Sequence, residues 1–249
     1  GGAGALAMVQ DGVMDRFGIT EVYGVHNLPS LPVGQFAMCK GPIMAATDEF
    51  DFLIKGRGGH AAQPHRTIDP ILAGSQLHIA IQSVVSRNTD PLDSLVISVT
   101  KFNAGEAYNV IPETAKLSGT VRTLSKETRA YAEKRIRDAA AGIAAVTGAE
   151  ITVRYKNNYP VTYNHDDQTD FAARVAKNVA GEGKVKTDVA PMMAAEDFSY
   201  MLEARPGAYI FLGNGDTPGL HHPAYDFNDE AIPYGVSYFV SVIETALAA

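Results

Sequence analysis

One cysteine, no tryptophan and no apolar run near the ~20 residues of a membrane-spanning helix are the first things this chain withholds. A lone thiol, Cys39, excludes an intramolecular disulfide and any cysteine-based zinc ribbon, and it suits a reducing cytoplasm. Basic charge is scarce as well. Lys and Arg number 21 against 28 Asp and Glu, a formal net charge of −7, and no basic run exceeds two residues. That argues against a nucleic-acid partner, whose binding is driven by neutralising phosphates. The opening Gly1-Gly2-Ala3-Gly4 has no basic segment leading into an apolar core, so no secretory signal and no membrane partner are expected. An initiator Met is missing too. Ala3, Leu6, Ala7 and Val9 already run at helical spacing up to Asp11-Gly12, as in a fragment that opens inside an element, or in a processed or engineered N-terminus.

What is present is enough for a sizeable core: 249 residues, 46% of them hydrophobic, make one large domain or two small ones. Residues 21–26 read as a short buried strand that gives way to a loop after His26. From 49 to 157 the periodicities spell strand, helix, strand, strand, helix, strand. This is the split pattern of a ferredoxin-like α+β unit, read here as an inserted domain. Its first helix, about residues 69–86, is apolar enough to touch both a sheet and a partner. The flanks, 1–48 and 158–249, read as parts of one α/β layer domain. They contain a helix at 168–180, a short helix near 195–202, a strand at 208–212 and a closing helix. That last helix places Ile232, Val236, Phe239, Val240, Ile243 and Leu247 on one face.

Position rather than number singles out the histidines. Gly24-Val25-His26-Asn27 places an imidazole at a strand mouth, and Leu220-His221-His222-Pro223 places two more in a turn-rich loop after another strand. Ligands collect at such strand ends, and imidazole is the commonest protein ligand for zinc-like ions. A two-metal site is the sharp hypothesis; a set of ordinary hydrogen-bonded histidines is the alternative. His60 and His65 lie in Gly58-Gly59-His60-Ala61-Ala62-Gln63-Pro64-His65, where an imidazole could donate to a developing oxyanion or merely serve turn chemistry. Asn109 and Arg122 add an amide and a guanidinium, the latter shaped to hold a carboxylate by two parallel bonds, with a turn Asn and a surface ion pair as alternatives. Glu196-Asp197 could simply complement the dipole of the short helix they precede.

Taken in order, Gly24-Val25-His26-Asn27, the Gly58 to His65 loop, Asn109-Val110-Ile111-Pro112, Gly119-Thr120-Val121-Arg122, Ala195-Glu196-Asp197-Phe198-Ser199 and Leu220-His221-His222-Pro223 resemble the M20 metallopeptidase superfamily. The likeness is to its aminoacylase, hippurate hydrolase and auxin-conjugate amidohydrolase branch. Each motif is weak alone; six in order over nearly the whole chain are strong. The resemblance implies a metal-hydrolase α/β domain carrying an inserted dimerisation or lid domain. It implies two divalent ions, zinc or manganese, with His26 on one and His221 on the other. His60 would reach across a homodimer to polarise the scissile carbonyl, and Asn109 and Arg122 would bind the substrate backbone or carboxylate. Glu196 would stand just behind the site.

The sequence also departs from that pattern. The family's Cys-x-His and Glu-Glu pairs supply its remaining ligands and its general base, and they lie before the Gly-rich helix with which this chain opens. Neither pair is present, and Met38-Cys39-Lys40 is no substitute. The expected activity of the complete protein is metal-dependent hydrolysis of N-acyl amino acids, with weak or absent metal binding and negligible turnover in these 249 residues. The alternatives are a non-catalytic dimerisation or ligand-binding module and a dipeptide-cleaving member of the same superfamily.

Overall fold

The computed structural model describes residues 4–248, so the predicted place of Ala3 in the opening helix lies outside the described residues. The chain forms two compact units, one joining the residues up to Ala45 with those from Val161 onward, the other being Ala46–Pro160. The first unit begins with α1 (Gly4–Gln10), α2 (Val13–Arg16), β1 (Val22–Pro29), β2 (Phe36–Ala37) and β3 (Gly41–Met44). The second holds β4 (Ala46–Lys55), β5 (Gly59–His60), α3 (Pro70–Ser83), β6 (Leu95–Ala104), β7 (Val110–Ile111), β8 (Thr114–Thr123), α4 (Lys126–Thr147) and β9 (Glu150–Asn157). The first unit is completed by β10 (Thr162–Asn164), α5 (Asp166–Ala180), β11 (Val185–Lys186), α6 (Ser199–Ala204), β12 (Gly207–Gly215) and α7 (Ile232–Ala246). Among the described residues no helix is long and apolar enough to cross a membrane.

In the first unit the main sheet runs β1-β12-β2-β11, with β1 parallel to β12. β12 is buried along almost its whole length, as a strand covered on both faces must be. Its alternate side chains divide between two cores. Ala208, Ile210 and Leu212 pack with α5 and α7, while Tyr209 and Phe211 pack with Met14, Val22 and Leu202 on the other face. The register carries β1 on to Pro29, so His26 sits inside the strand rather than at its end, opposite Phe211. Pairing to a long partner, invisible in local periodicity, extends it.

The closing helix presents that apolar face outward. α7 turns Tyr238 and Val242 into the core, whereas Ile232, Val236, Phe239, Val240, Ile243 and Leu247 are each 40–77% exposed. The helix carries apolar residues around most of its circumference, and periodicity cannot say which stripe meets the sheet. The ring of Tyr238 settles it by packing 5.6 Å from that of Phe36. The short helix starts later than predicted, at Ser199, because Glu196 accepts from the Phe198 amide and the Ser199 hydroxyl in the turn before it, while Asp197 Oδ2 accepts from the Ala5 amide of α1.

In the second unit the antiparallel order β6-β8-β4-β9 and the two helices reproduce the ferredoxin-like arrangement expected from the pattern. Phe50, Phe52 and Ile54 alternate inward from β4 against Leu77 and Ile81 of α3 and Ile136 of α4. Asp69 caps α3 by accepting from the Ile71 and Leu72 amides, and Ser125 caps α4 by accepting from the Thr128 amide. A buried ion pair closes the other end of β4: Arg129 reaches Asp48, which also accepts from the Tyr155 hydroxyl at 3.0 Å and the Asn158 amide at 3.2 Å. β5 and β7 form a separate two-stranded ribbon.

Candidate functional site

His26 and His221, from opposite ends of the sequence, line one cavity of about 460 Å³ together with Asn27, Leu220, His222 and Tyr225. β1 positions the first imidazole. Its Nδ1 lies 2.6 Å from the Asn27 carbonyl oxygen, which can only accept, so Nδ1 carries the proton and Nε2 keeps a free lone pair. A neutral ring anchored through one nitrogen in this way is how a metal-ligating histidine is usually oriented. Tyr209 stands beside it, with ring centroids 6.4 Å apart. Burial, then the nearby Glu196 carboxylate, hold the Tyr209 phenol well above the ordinary tyrosine range. It is therefore a fixed donor, and its hydroxyl reaches Glu196 Oε2 at 2.8 Å. Gly24 makes room for this packing, since a Cβ there would come within 2.7 Å of the Tyr209 ring. Glu196, predicted to stand behind the site, thus tethers the aromatic neighbour of His26.

The two histidines of the loop are not equivalent. His222 Nδ1 accepts from the Ala224 amide at 3.1 Å, which places the proton of the neutral ring on Nε2 and leaves no lone pair to offer. Among the described residues neither ring nitrogen of His221 has a hydrogen-bond partner. The donor chemistry of His26 and His221 therefore fits a divalent cation, whereas that of His222 does not. The backbone of His221 is left-handed, with φ 65°, uncommon for a residue with a Cβ and frequent where function holds strain in place. Among the described residues no three His, Cys, Asp or Glu side chains are grouped to hold a metal ion.

In the second unit the ribbon brings His60 and Asn109 together: His60 pairs with Val110, and the Ala61 amide donates to the Asn109 carbonyl at 3.0 Å. His60 Nδ1 accepts from the Ala62 amide at 3.1 Å, so the neutral ring presents Nε2–H as an exposed donor. Arg122 is elsewhere. Its strand, β8, leaves the ribbon at Thr114 and carries Arg122 eight positions further on, about 26 Å at ~3.3 Å per residue. There Arg122 is half-buried, held through its side chain by Thr120 Oγ1 and the Val121 carbonyl. Burial pulls its guanidinium below the usual arginine range, opposed by Asp48 and Glu49. Sequence reasoning missed Tyr209, Asn27 and Tyr225. Asn27 lay within a quoted motif, but nothing local marked the other two.

Fold and residue pattern together define a class: the chain belongs to peptidase family M20/M25/M40, whose model matches residues 1–245. Two relatives stand out. The hippurate hydrolase of Campylobacter jejuni is 41% identical over 239 residues, 96% of this chain and 62% of that protein. The N-acetylcysteine deacetylase of Bacillus subtilis is 38% identical over 247 residues, 98% of this chain and 64% of that protein. Among solved structures, a Bacillus subtilis dinuclear metal-binding peptidase from the M20 family superposes at TM-score 0.81 with 32% identity. It covers 98% of this chain and 62% of that one. The chain spans less than two thirds of the length of each of these proteins.

Proposed function

We propose that the complete protein is a metal-dependent amidohydrolase that cleaves the amide bond of N-acyl amino acids. The observation that carries this reading is the shared cavity, in which His26 Nε2 and both ring nitrogens of His221 are left without hydrogen-bond partners among the described residues. Relatives that act as a hippurate hydrolase and as an N-acetylcysteine deacetylase support the substrate class. Two divalent ions, zinc or manganese, would be held in part by His26 and His221 and would supply Lewis acidity at the amide carbonyl and an acidified attacking water. His60, as an Nε2–H donor, would hydrogen-bond the carbonyl oxygen as negative charge develops on it. Asn109 would bind the substrate backbone, Arg122 would clamp its carboxylate, and Glu196 would keep Tyr209 against His26.

A homodimer through the second unit reconciles the separation of Arg122 from His60 and Asn109. β6 is a sheet edge whose Leu95 end pairs beside Arg122 and whose Ala104 end pairs near the ribbon. If two copies join their β6 strands antiparallel about a two-fold axis, the ribbon end of one copy meets the Arg122 end of the other. α3 carries no charged residue and exposes Ile71, Leu72 and Ile79, a surface that self-association would cover. Ile79→Asp, at a position 69% exposed, should leave the fold intact and give a monomer by light scattering. An unchanged molecular mass would remove this interface.

The activity test is hydrolysis of hippurate and N-acetyl amino acids against dipeptides by the full-length gene product, with zinc or manganese added. Faster cleavage of dipeptides would replace the acyl amino acid reading with a peptidase one. The 249 residues alone offer one protein ligand to each ion where three or four are usual, so weak metal binding and negligible turnover are expected of them. Sub-micromolar zinc affinity would contradict that.

A further inference from the structure

We propose that the hydrogen bond from Asn27 Nδ2 to the Tyr225 hydroxyl is a latch that sets the spacing of His26 and His221, making Asn27 and Tyr225 positioning residues of the cavity. The loop that carries His221 leaves β12 at Gly215 and returns to the fold at Asn228. Both of its ends are pinned by one buried side chain. Asn214 Nδ2 donates to Thr217 Oγ1 at 3.1 Å and to the Asp226 carbonyl at 3.0 Å, while its Oδ1 accepts from the Asn228 amide at 3.0 Å. Between those anchors the loop folds on itself, through the His222 amide to the Gly219 carbonyl and the Tyr225 amide to the His222 carbonyl. Such local bonds give the loop a shape but not a position relative to β1. Its base is tied to the end of β1, where the Ser30 amide donates to the Gly215 carbonyl at 2.8 Å, and its far side is tied there by Tyr225, which Asn27 grips from the residue next to His26.

The arrangement is economical because one residue step separates each latch group from its imidazole partner on the strand, and a few steps do so on the loop. Asn27 spends its carbonyl on His26 Nδ1 and its side-chain amide on Tyr225, so the same residue orients the first ring and anchors the segment bearing the second. The left-handed backbone at His221 gives an independent reason to expect a constraint here. Strained conformations persist only where surrounding contacts fix them, and the latch is a contact that ties the Tyr225 side of this loop to the strand. Because Asn27 is the donor, the Tyr225 hydroxyl hydrogen stays free to point elsewhere.

The role in spacing metal ligands rests on the reading under Proposed function; the latch itself does not. Tyr225→Phe, Asn27→Ala and the double variant of the full-length gene product are compared with the full-length parent by amide hydrogen exchange and by zinc titration followed through the imidazole NMR signals of His26 and His221. Each single variant should speed exchange at the His222 and Tyr225 amides by roughly three- to tenfold, the worth of one such bond, while Tyr209 on β12 stays protected. The double variant should be no worse than either single one, because both remove the same bond. Zinc affinity should fall by a similar factor in all three. Unchanged exchange in the single variants, or effects that multiply in the double, would overturn the latch. Faster exchange with unaltered zinc affinity would overturn its positioning role. If zinc moves neither imidazole signal in the parent, the metal reading fails, and exchange alone decides the latch.

Discussion

Replacing Arg129 with Met tests how the second unit is held together around Arg122. Asp48 is 1% exposed and accepts from both Nε and Nη2 of the Arg129 guanidinium, from the Tyr155 hydroxyl and from the Asn158 amide. Met keeps much of the side-chain volume and removes the positive charge, leaving a buried carboxylate with only neutral donors. Stripping one partner from a buried pair costs about 3–5 kcal/mol. The Arg129 side chain is 18% exposed and partly solvated, so the lower end applies, ~3 kcal/mol. For a domain in this size range that is a fall of roughly 6–12 °C in Tm. Thermal unfolding followed by circular dichroism reads it directly. Asp48→Leu combined with Arg129→Met should recover most of the loss, because an apolar pair of similar volume carries no desolvation cost. A single variant within about 1 kcal/mol of the parent, or a double variant as unstable as the sum, would refute the reasoning.

Three further outcomes follow from the same structure. Burial and the Asp48 carboxylate raise the Tyr155 phenol, and burial and Glu196 raise that of Tyr209. Both stay protonated in the fold while the unfolded chain ionises near pH 10, so their contribution is complete below that pH and shrinks above it by ~1.4 kcal/mol per pH unit per tyrosine. Urea midpoints measured from pH 8 to 11 should turn downward near pH 10, less steeply in Tyr155→Phe. Gly24→Ala should destabilise by about 1–3 kcal/mol, because its Cβ would press on the Tyr209 and Phe198 rings; chemical denaturation measures this, and a neutral result would mean those rings move freely. In the full-length gene product, Arg122→Ala should raise KM for N-acyl amino acids roughly ten- to hundredfold while sparing a neutral amide of similar size. Equal effects on both substrates would remove its assigned role.

The elements most legible in the sequence are those whose burial repeats with a regular period. Phe50, Phe52 and Ile54 announce β4 by alternation, and the order of strands and helices from 49 to 157 admits few folds other than the ferredoxin-like one. The ordered histidine, Asn-Val-Ile-Pro and Glu-Asp-Phe motifs were enough to indicate the family, since each chemistry needs particular residue types at particular turns. The caps Asp69 and Ser125, not singled out from the sequence, act within one helical turn of themselves.

What the sequence could not determine depends on partners distant along the chain. Which stripe of α7 meets the core was decided by the fit of Tyr238 against Phe36, and the length of β1 by its register with β12. The distance between Arg122 and the His60 ribbon comes from the direction of β8, and the different hydrogen bonding of His221 and His222 from which ring nitrogen meets a backbone amide. The tie between Asn27 and Tyr225 joins residues 198 positions apart. Local patterns record how a segment satisfies its own backbone and apolar face. Only closure of the tertiary fold fixes which remote side chains meet, because each such contact is selected jointly by everything packed around it.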